Sequence, residues 1–581
     1  MTTSATTADE SPWWQKAVVY QVYPRSFADS DGDGVGDLRG IIDHLDHIAR
    51  LGVDVIWLSP VYRSPMDDNG YDISDYEDID PLFGDLATFD ELVAGIHARG
   101  MRLMMDLVVN HTSDEHPWFV ASRSSPLAPQ RDWYVWRPPR EGFEAGAPGA
   151  EPNNWESFFS GPAWELDEAS GEYYLHLFSR KQPDLDWENP AVRGAVHAMM
   201  RRWLERGVDG FRMDVINLIS KVPGLPDGVV HATSASGSPL GDGAPFVTNG
   251  PRIHEFLREM NEAVWADRSA PDLPLVTVGE MPGSTVEEAR LYTDPARHEL
   301  DMVFTFEHVG LDQGRTKFDR LPLRVSRLKQ VLARWQDGLA EVGWNSLYWG
   351  NHDQPRAVSR FGDDAAYRVL SAKLLATVLH LHRGTPYVYQ GEELGMPNAG
   401  FARIEDYRDI ESLNHHREAT ASGVAPGDVL AALQWIGRDN ARTPMPWDDG
   451  PQAGFTTGTP WLRLTPGHEQ VNAAAAWADP DSVLHHYRHL VALRHHEPAV
   501  SHGDFALLAP DDEILWAFTR QLGSTRLLVV ANLSGADLDV SAVTDGWRAA
   551  EVISTNYAAS KGDWSGTTLR PWEAVVLRRT A

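Results

Sequence analysis

Residues 17–58 read AVVYQVYPRSFADSDGDGVGDLRGIIDHLDHIARLGVDVIWL and contain one complete repeat of a strand, a helix and a second strand. Short runs of β-favouring residues, Ala17–Val22 and Val53–Leu58, form the two ends of this stretch. Apolar residues between them recur at steps of three and four, which predicts one amphipathic helix with an apolar stripe formed by Leu38, Ile41, Ile42, Leu45, Ile48 and Leu51. A strand–helix–strand repeat is the unit of folds with a parallel sheet.

The same alternation continues along the chain. Six further strands are predicted at Leu103–Val109, Gly210–Asp214, Leu275–Glu280, Met302–Phe306, Ser346–Trp349 and Tyr387–Tyr389. Eight strand–helix repeats predict an α/β fold of the (β/α)8 TIM barrel type. Thr88 and Glu91 have the spacing of a capping box, which predicts the start of a helix between the second and third strands.

The uneven spacing of the strands predicts the domain organisation. About a hundred residues separate the third and fourth strands, too many for one connection. We therefore expect a barrel in two parts, 1–109 and 184–502, an inserted subdomain over 110–183 after strand three, and a C-terminal antiparallel β-sandwich domain over 503–581. Two further segments, Gly224–Pro251 and Gly391–Trp447, are predicted to be long loops at the carboxyl end of the barrel, where such barrels place their active sites.

Composition excludes several classes of function. The chain has 581 residues with 51 basic and 83 acidic side chains, a formal net charge of −32. Phosphate backbones and anionic lipid repel such a chain, so neither nucleic acid nor a membrane surface is expected as a partner. Without cysteine, disulfides and thiolate metal sites are excluded. No signal peptide or span of ~20 apolar residues is evident, so we expect a cytoplasmic protein, a monomer or homodimer.

Three acidic residues stand at the predicted ends of barrel strands: Asp214, Glu280 and Asp353. Strand ends converge on one face of a parallel barrel, so these carboxylates are expected to meet. Arg212 projects to the same side as Asp214, which favours an ionised, nucleophilic Asp214 with a lowered pKa, although a purely structural Arg–Asp pair fits equally. Glu280 has no neighbouring cation, which favours a protonated general acid. A nucleophile and an acid are what a retaining glycosidase requires.

At this point the sequence resembles the α-amylase family of glycoside hydrolases (family 13), and within it the α-glucosidases of the oligo-1,6-glucosidase type. The motifs that carry the resemblance begin at Ala17 (AVVYQVYPRSFADSDGDGVGDLRG), Gly70 (GYDISDY), Asp106 (DLVVNHTS), Gly210 (GFRMDVINLISK), Val278 (VGEMPG), Asn351 (NHDQPR) and Arg438 (RDNARTPMPWD). The resemblance implies that Asp214 is the nucleophile, that Glu280 is the general acid/base, and that Asp353 stabilises the transition state.

The resemblance also implies a set of residues that bind the sugar. Asp72 is expected to hold the non-reducing glucose, His111 and His352 to donate hydrogen bonds to it, and Arg442 to close the pocket. The remaining members of the expected set are Phe159, Phe178, Gln182, Arg212 and Val215. For the aromatic residues, a place in the core is the alternative.

The substrate is indicated mainly by Val215, which follows the nucleophile. Valine there resembles enzymes that accept α-1,6 linkages, so we expect an exo-acting retaining α-glucosidase for isomaltose and other small isomalto-oligosaccharides, with maltose-type α-1,4 bonds and transglucosylation as further activities. The alternatives are an α-glucosyltransferase or sucrose-converting enzyme, a non-catalytic barrel relative and a polysaccharide-binding module. Residues 318–324 (FDRLPLR) match the charged loop of sucrose-isomerising relatives poorly. The segment Gly224–Pro251 is expected to shape the acceptor side.

One segment indicates a metal. The oxygens of Asp29, Asp31, Asp33, Asp37 and the Val35 carbonyl follow the alternating pattern of an EF-hand loop, but Gly40 stands where that loop has a bidentate Glu. The alternative is an acidic surface turn. Because related glucosidases carry calcium at a matching loop, we expect a structural Ca²⁺ here and no organic cofactor.

Overall fold

The computed structural model describes residues 11–233, 239–265, 275–558 and 566–580. The strands within them are β1 (Val19–Val22), β2 (Val55–Leu58), β3 (Tyr62–Arg63), β4 (Asp75–Ile79), β5 (Arg102–Val108), β6 (Trp136–Arg137), β7 (Trp164–Asp167), β8 (Glu172–Leu175), β9 (Gly210–Asp214), β10 (Val229–Thr233), β11 (Pro239–Asp242), β12 (Val276–Glu280), β13 (Met302–Phe304), β14 (Ser346–Leu347), β15 (Thr385–Tyr389), β16 (Asp504–Leu508), β17 (Leu515–Leu522), β18 (Thr525–Asn532), β19 (Leu538–Asp539), β20 (Glu551–Thr555), β21 (Thr568–Leu569) and β22 (Ala574–Thr580).

The α-helices of the same residues are α1 (Leu38–Asp43), α2 (Leu45–Leu51), α3 (Leu86–Ala98), α4 (Pro117–Arg123), α5 (Pro190–Glu205), α6 (Ala244–Val247), α7 (Ile253–Val264), α8 (Val286–Thr293), α9 (Val325–Gly338), α10 (Ala357–Phe361), α11 (Arg368–His380), α12 (Ile410–Ala421), α13 (Pro426–Ile436), α14 (Ala473–Ala478), α15 (Val483–His496), α16 (Pro498–His502) and α17 (Ser541–Thr544). No helix among the described residues is long and apolar enough to cross a membrane.

Eight parallel strands form the barrel, and each of them coincides with a strand predicted from the sequence. Their order is β13-β12-β9-β5-β2-β1-β15-β14, and a parallel bridge between Val303 and Asn345 closes the ring. Strands such as β1, β2 and β12 are buried along their whole length, because helices cover the outside of a parallel barrel and side chains fill its interior. The predicted (β/α)8 fold is confirmed.

Two local predictions about helices are wrong. The apolar stripe over residues 38–51 belongs to two helices, α1 and α2, which are interrupted at His44. Helix α3 begins at Leu86 because the Asp85 carboxylate accepts a hydrogen bond from the Thr88 N–H at 2.8 Å, so Thr88 lies inside the first turn. Asp is as good an N-cap as any residue and better than Thr, which explains why the earlier position prevails.

Three insertions rise from the carboxyl end of the barrel. The first, between β5 and β9, contains the antiparallel sheet β6-β8-β7. The second, predicted to be an irregular loop over Gly224–Pro251, instead forms the hairpin β10–β11 and helix α6, and it docks on the first insertion: Trp155 Nε1 donates to the Pro226 carbonyl at 2.8 Å. The third, over Gly391–Trp447, contains helices α12 and α13.

The C-terminal domain is antiparallel, as predicted. Strands β16-β17-β18-β22-β20 form a five-stranded sheet, and the ribbon β19–β21 packs on one face of it. Apolar side chains of the ribbon and the sheet, including Val540, Leu569 and Val530, form a separate small core.

Candidate active site

A cavity of about 750 Å³ opens at the carboxyl end of the barrel, between the three insertions. Asp214 and Glu280 are the last residues of β9 and β12, and Asp353 follows β14 after a short loop. All three line the cavity, as the positions of their strands predict.

Arg212 holds the acidic residues together. Its Nη1 lies 2.6 Å from Asp214 Oδ1 and 2.8 Å from Asp106 Oδ1, and its Nη2 lies 2.7 Å from Glu280 Oε1. Glu280 has no cation at adjacent positions in the sequence, but Arg212 reaches it from the neighbouring strand. With one guanidinium for three buried carboxylates, the cluster carries excess negative charge.

That excess charge reverses one electrostatic prediction. Burial raises the pKa of Asp214, and the nearby Glu280 and Asp106 add to the rise, while Arg212 opposes it. Burial also raises the pKa of Asp106 to about 6. The prediction that Arg212 lowers the pKa of Asp214 is wrong, since one cation does not offset desolvation and two like charges.

Val215 occupies an unusual backbone conformation directly after Asp214. Its φ is 35°, in the left-handed region that a β-branched residue seldom adopts. In this conformation its N–H donates to Glu280 Oε2 at 3.0 Å, and its side chain faces the cavity. The turn after Asp214 therefore orients the carboxylate of Glu280. Such strain is typical of functional sites.

Asp353 lies in a cationic environment. Arg442 Nη2 is 2.5 Å away and Arg438 Nη1 is 3.3 Å away. Burial alone would raise the pKa of Asp353, but His352, Arg438 and Arg442 together lower it well below the usual range. Asp353 is thus an anion in the site.

His352 is stacked on Tyr71, with ring centroids 5.1 Å apart. Its Nδ1 contacts Gln21 Nε2 at 2.8 Å, whereas its Nε2, though 3.4 Å from Asp353 Oδ2, has no partner in hydrogen-bond geometry among the described residues. Burial lowers the pKa of His352 to about 3, so the ring is neutral at neutral pH.

The acidic residue expected to hold glucose is placed elsewhere. Asp72 is fully buried and accepts hydrogen bonds from the N–H groups of Asp67 (2.8 Å) and Asp68 (3.0 Å), so it organises its own loop. Asp68, four residues earlier, lines the cavity and pairs with Arg438 Nη2 at 3.0 Å. Burial raises the pKa of Asp68 to about 7, against the pull of Arg438 and Arg442.

Two other residues that were predicted to line the pocket, Arg442 and Gln182, also lie behind its wall. Arg442 lies behind Asp353, and Arg438 from the same motif is the arginine that lines the cavity. Gln182 is also fully buried behind the wall, where its Nε2 lies 3.1 Å from Asp68 Oδ2 and 3.2 Å from His111 Nε2. Arg442 and Gln182 thus hold in place the side chains that line the cavity, through contacts with Asp353, Asp68 and His111.

Aromatic side chains form one wall of the cavity. Phe159 and Phe178 line it as predicted, together with His111 and the partly exposed Phe158. The Phe178 ring packs on His111 with centroids 5.1 Å apart. Burial lowers the pKa of His111 to about 4.

The mouth of the cavity contains residues that sequence reasoning missed. Phe318 stacks on His415 with ring centroids 3.6 Å apart, and Lys317 pairs with Glu411. Asn414 of α12 donates to the Phe159 carbonyl at 3.1 Å and so links the third insertion to the first. Glu411, Asn414 and His415 lie in the segment Gly391–Trp447, which was predicted to extend this end of the barrel. Phe318 begins the segment compared above with sucrose-isomerising relatives, and Lys317 directly precedes it.

The predicted metal loop brings three of its four carboxylates together. Ligand oxygens of Asp29, Asp31 and Asp37 lie within 4.8 Å of one another, and hard oxygen donors at this spacing suit Ca²⁺. Asp33 is not a member of the cluster; one of its oxygens accepts the Val35 N–H at 2.7 Å. Asp37 also caps helix α1 through the Gly40 N–H at 2.7 Å. The role of the Val35 carbonyl as a further metal ligand stays a prediction.

Comparison with known proteins places this site among sugar-processing enzymes. The model of the α-amylase catalytic domain matches residues 21–503. An oligo-1,6-glucosidase of Parageobacillus thermoglucosidasius is 54% identical over 574 residues, covering 98% of this chain and 99% of that protein. The crystal structure of Bacillus licheniformis trehalose-6-phosphate hydrolase superposes with a TM-score of 0.89 at 44% identity, covering 98% and 100% of the two chains. The isomaltulose synthase of Klebsiella sp. LX3 gives a TM-score of 0.90 at 40% identity, with the same coverage.

Proposed function

The chain belongs to the α-amylase family of glycoside hydrolases, and from that premise we propose that it is an exo-acting, retaining α-glucosidase that removes the terminal non-reducing glucose from small isomalto-oligosaccharides. The observation that carries the proposal is the pairing of Asp214 and Glu280 on the single guanidinium of Arg212, in the wall of the cavity. A shared guanidinium holds the two carboxyl groups close together, and a retaining mechanism requires close carboxyl groups, ~5–5.5 Å apart.

In the proposed reaction, Glu280 protonates the glycosidic oxygen while Asp214 attacks the anomeric carbon. Arg212 contacts both carboxyl groups, so the cation is in place whichever of the two carries the negative charge during the reaction. The bond to the leaving sugar breaks as the Asp214–glucosyl ester forms. Glu280, now ionised, takes a proton from water, and the hydroxide displaces Asp214 to release glucose with its α configuration retained.

The remaining polar groups supply binding and charge. Asp353 is held as an anion by Arg442 and stabilises positive charge that develops at the anomeric carbon. His352 Nε2 supplies a neutral group for a sugar hydroxyl. The Asp68–Arg438 ion pair lines the cavity, so we assign to Asp68 the glucose hydroxyls that the resemblance assigned to Asp72.

Val215 and the relatives support α-1,6 linkages. Val215 lines the cavity next to the nucleophile, and the relative with 54% identity is an oligo-1,6-glucosidase. Transfer to a sugar is the second candidate, since the likeness to an isomaltulose synthase favours it. Hydrolysis and transfer begin from the same glucosyl-enzyme and differ in whether water or a sugar attacks it.

Initial rates on isomaltose, maltose, kojibiose, nigerose, sucrose and trehalose, measured in parallel with product analysis, test the substrate. Isomaltose is expected to be cleaved fastest with glucose as the main product. A conversion of sucrose to an isomer without net hydrolysis supports the second candidate, and no cleavage of isomaltose refutes the first.

The retaining mechanism is tested separately with azide. Asp214→Gly removes the nucleophile, so azide is expected to restore turnover of an activated α-glucoside as the β-glucosyl azide. Glu280→Ala leaves the nucleophile in place, so azide is expected to attack the ester and yield the α-glucosyl azide. The opposite pattern of anomers contradicts the assignment.

We also propose that Asp29, Asp31 and Asp37 hold a structural Ca²⁺. Their close oxygens are the support, and the ion would offset the mutual repulsion of the carboxylates. The loop packs against residues 456–460, since the Thr456 hydroxyl donates to Asp29 and the Gly34 Cα abuts the Thr459 carbonyl. We assign the ion no step in the reaction.

A further inference from the structure

Helix α12 begins at a carboxylate that no sequence motif had singled out. Asp409 is its N-cap: Oδ2 accepts the Ser412 N–H at 3.0 Å and the Ser412 hydroxyl at 2.8 Å. The residue is fully buried. The helix that it starts supplies Glu411 and His415 to the mouth of the cavity.

The other oxygen of the same carboxylate faces two arginines. Asp409 Oδ1 accepts from Arg438 Nε at 2.8 Å, lies 2.5 Å from Arg438 Nη2, and lies 3.4 Å from Arg442 Nη1. Arg438 extends to Asp68, and Arg442 extends to Asp353. Asp409 thus lies between the cations that contact the two acidic residues of the sugar pocket.

We propose that Asp409 is a positioning residue that couples helix α12 to the two sugar-binding carboxylates, Asp68 and Asp353. This inference rests on the proposed function for its consequence in catalysis, but the coupling itself is a statement about geometry. Asp409 touches no substrate atom in the proposal and acts through Arg438 and Arg442.

The physical reason is the cost of placing two buried guanidinium groups side by side. Arg438 and Arg442 are both buried and repel each other. Asp409 contacts both of them, as Asp353 does from the cavity side, and Asp409 is the fully buried member of the two anions. Without its charge, we expect Arg438 to move away from Arg442 and to lose its alignment with Asp68. The backbone is fixed as well, because Asp439 accepts the N–H groups of Arg408 (2.7 Å) and Asp409 (3.0 Å).

Two substitutions separate the capping role from the coupling role. Asp409→Asn keeps a good N-cap but removes the charge, whereas Asp409→Ala removes both. Asp85, the N-cap of α3 on the outside of the barrel, supplies the matched controls Asp85→Asn and Asp85→Ala. Each variant is assayed for melting temperature and for kcat and KM on isomaltose and an aryl α-glucoside.

We expect Asp409→Asn to melt near the wild-type temperature and to lose ~10²-fold in kcat/KM on both substrates, a loss typical of misplaced binding groups. KM is expected to rise because Asp68 is misplaced, and kcat is expected to fall because Asp353 is misplaced. Both Asp85 variants are expected to keep wild-type kinetics. If Asp409→Asn keeps wild-type kinetics and only Asp409→Ala loses stability, Asp409 is a helix cap and the proposal is overturned.

A crystal structure of Asp409→Asn decides the coupling without any turnover. Loss of the Arg438–Asp68 or Arg442–Asp353 contact supports the proposal, and unchanged contacts overturn it. This arm stays decisive even if the wild-type protein cleaves no α-glucoside, a result that would refute the proposed function alone.

Discussion

Arg212 Nη2 lies 2.7 Å from Glu280 Oε1, on the side of the guanidinium opposite its contacts with Asp214 and Asp106. One cation therefore serves both proposed reacting carboxylates. In the proposed reaction the negative charge decreases on Asp214 as it increases on Glu280, so a guanidinium that contacts both stays paired throughout.

Replacing Arg212 by Gln is expected to lower kcat on isomaltose by at least ~10²–10³-fold, because three buried carboxylates lose the cation that they share. Arg212→Lys is expected to lose nearly as much, since an ammonium group cannot bond three carboxylates in this geometry. The control is Arg206→Gln, which breaks an exposed ion pair with Asp90. Steady-state kinetics check the result, and an Arg212→Gln enzyme of near wild-type kcat contradicts it.

The same substitution at Asp68 and Asp72 is expected to have different effects. Asp68→Asn weakens the contact with Arg438 in the cavity wall and is expected to reduce kcat/KM by ~10²-fold. Asp72→Asn turns an amide donor toward backbone N–H groups, which costs about 1–3 kcal/mol of stability, with kcat/KM changed only a few-fold. Kinetics and thermal melts of the pair distinguish them, and a larger kinetic effect at Asp72 restores the original assignment.

These two residues also show where prediction from sequence ends. The barrel strands were predictable because each is a short apolar run, and the convergence of Asp214, Glu280 and Asp353 follows from parallel strand ends. Asp68 and Asp72 lie in a loop, and Arg438 and Arg442 lie in and just after the one-turn 3-10 helix Arg438–Asn440. Neither a loop nor a single turn has a period long enough to assign side chains to a face. Which member of each pair faces the cavity depends on long-range contacts such as Arg438 with Asp68.

The contact of Arg212 with Glu280 was missed for a related reason. Strand period relates Arg212 to Asp214 within one strand, but the neighbouring strand's register, Arg212 opposite Val278, is a property of the assembled sheet. The raised pKa of Asp214 follows from that assembly and from burial. Residues near one another in sequence thus account for only part of the electrostatics.

Removal of calcium is expected to lower stability without altering the reaction. If Ca²⁺ is present at 100 times its Kd, chelation with EDTA should cost about 2.7 kcal/mol and lower the melting temperature. Asp31→Asn should abolish the effect of EDTA, whereas Asp43→Asn, an exposed acidic residue outside the cluster, should not. Calorimetric melts with and without chelator check this, and a wild-type melt insensitive to EDTA contradicts the calcium proposal.

A buried histidine away from the cavity makes stability depend on pH. Neither ring nitrogen of His380 has a hydrogen-bond partner among the described residues, and burial lowers its pKa to about 3. The unfolded chain takes up a proton near pH 6.5 and the folded chain does not. The contribution of His380 is therefore fully present above pH 6.5 and is lost as the pH falls toward 3, by about 1.4 kcal/mol per pH unit.

The substitution His380→Leu is accordingly expected to leave the free energy of unfolding nearly unchanged at pH 7.5 and to raise it by about 2 kcal/mol at pH 5. Urea unfolding at the two pH values measures the difference, with the exposed His496→Gln as control. An equal effect of His380→Leu at both pH values contradicts the argument.

The Asp68–Arg438 ion pair cannot form until late in the synthesis of the chain, because 370 residues separate the two side chains. At a synthesis rate of 5–20 residues per second, Asp68 leaves the ribosome about 20–70 s before Arg438 is made. A nascent chain that already contains all eight barrel strands therefore still lacks the arginine that pairs with Asp68 in the cavity wall. Sugar can contribute to the stability of this protein only after the last insertion has folded back over the first strands, so substrate is a ligand of the finished enzyme and gives no help to its early folding.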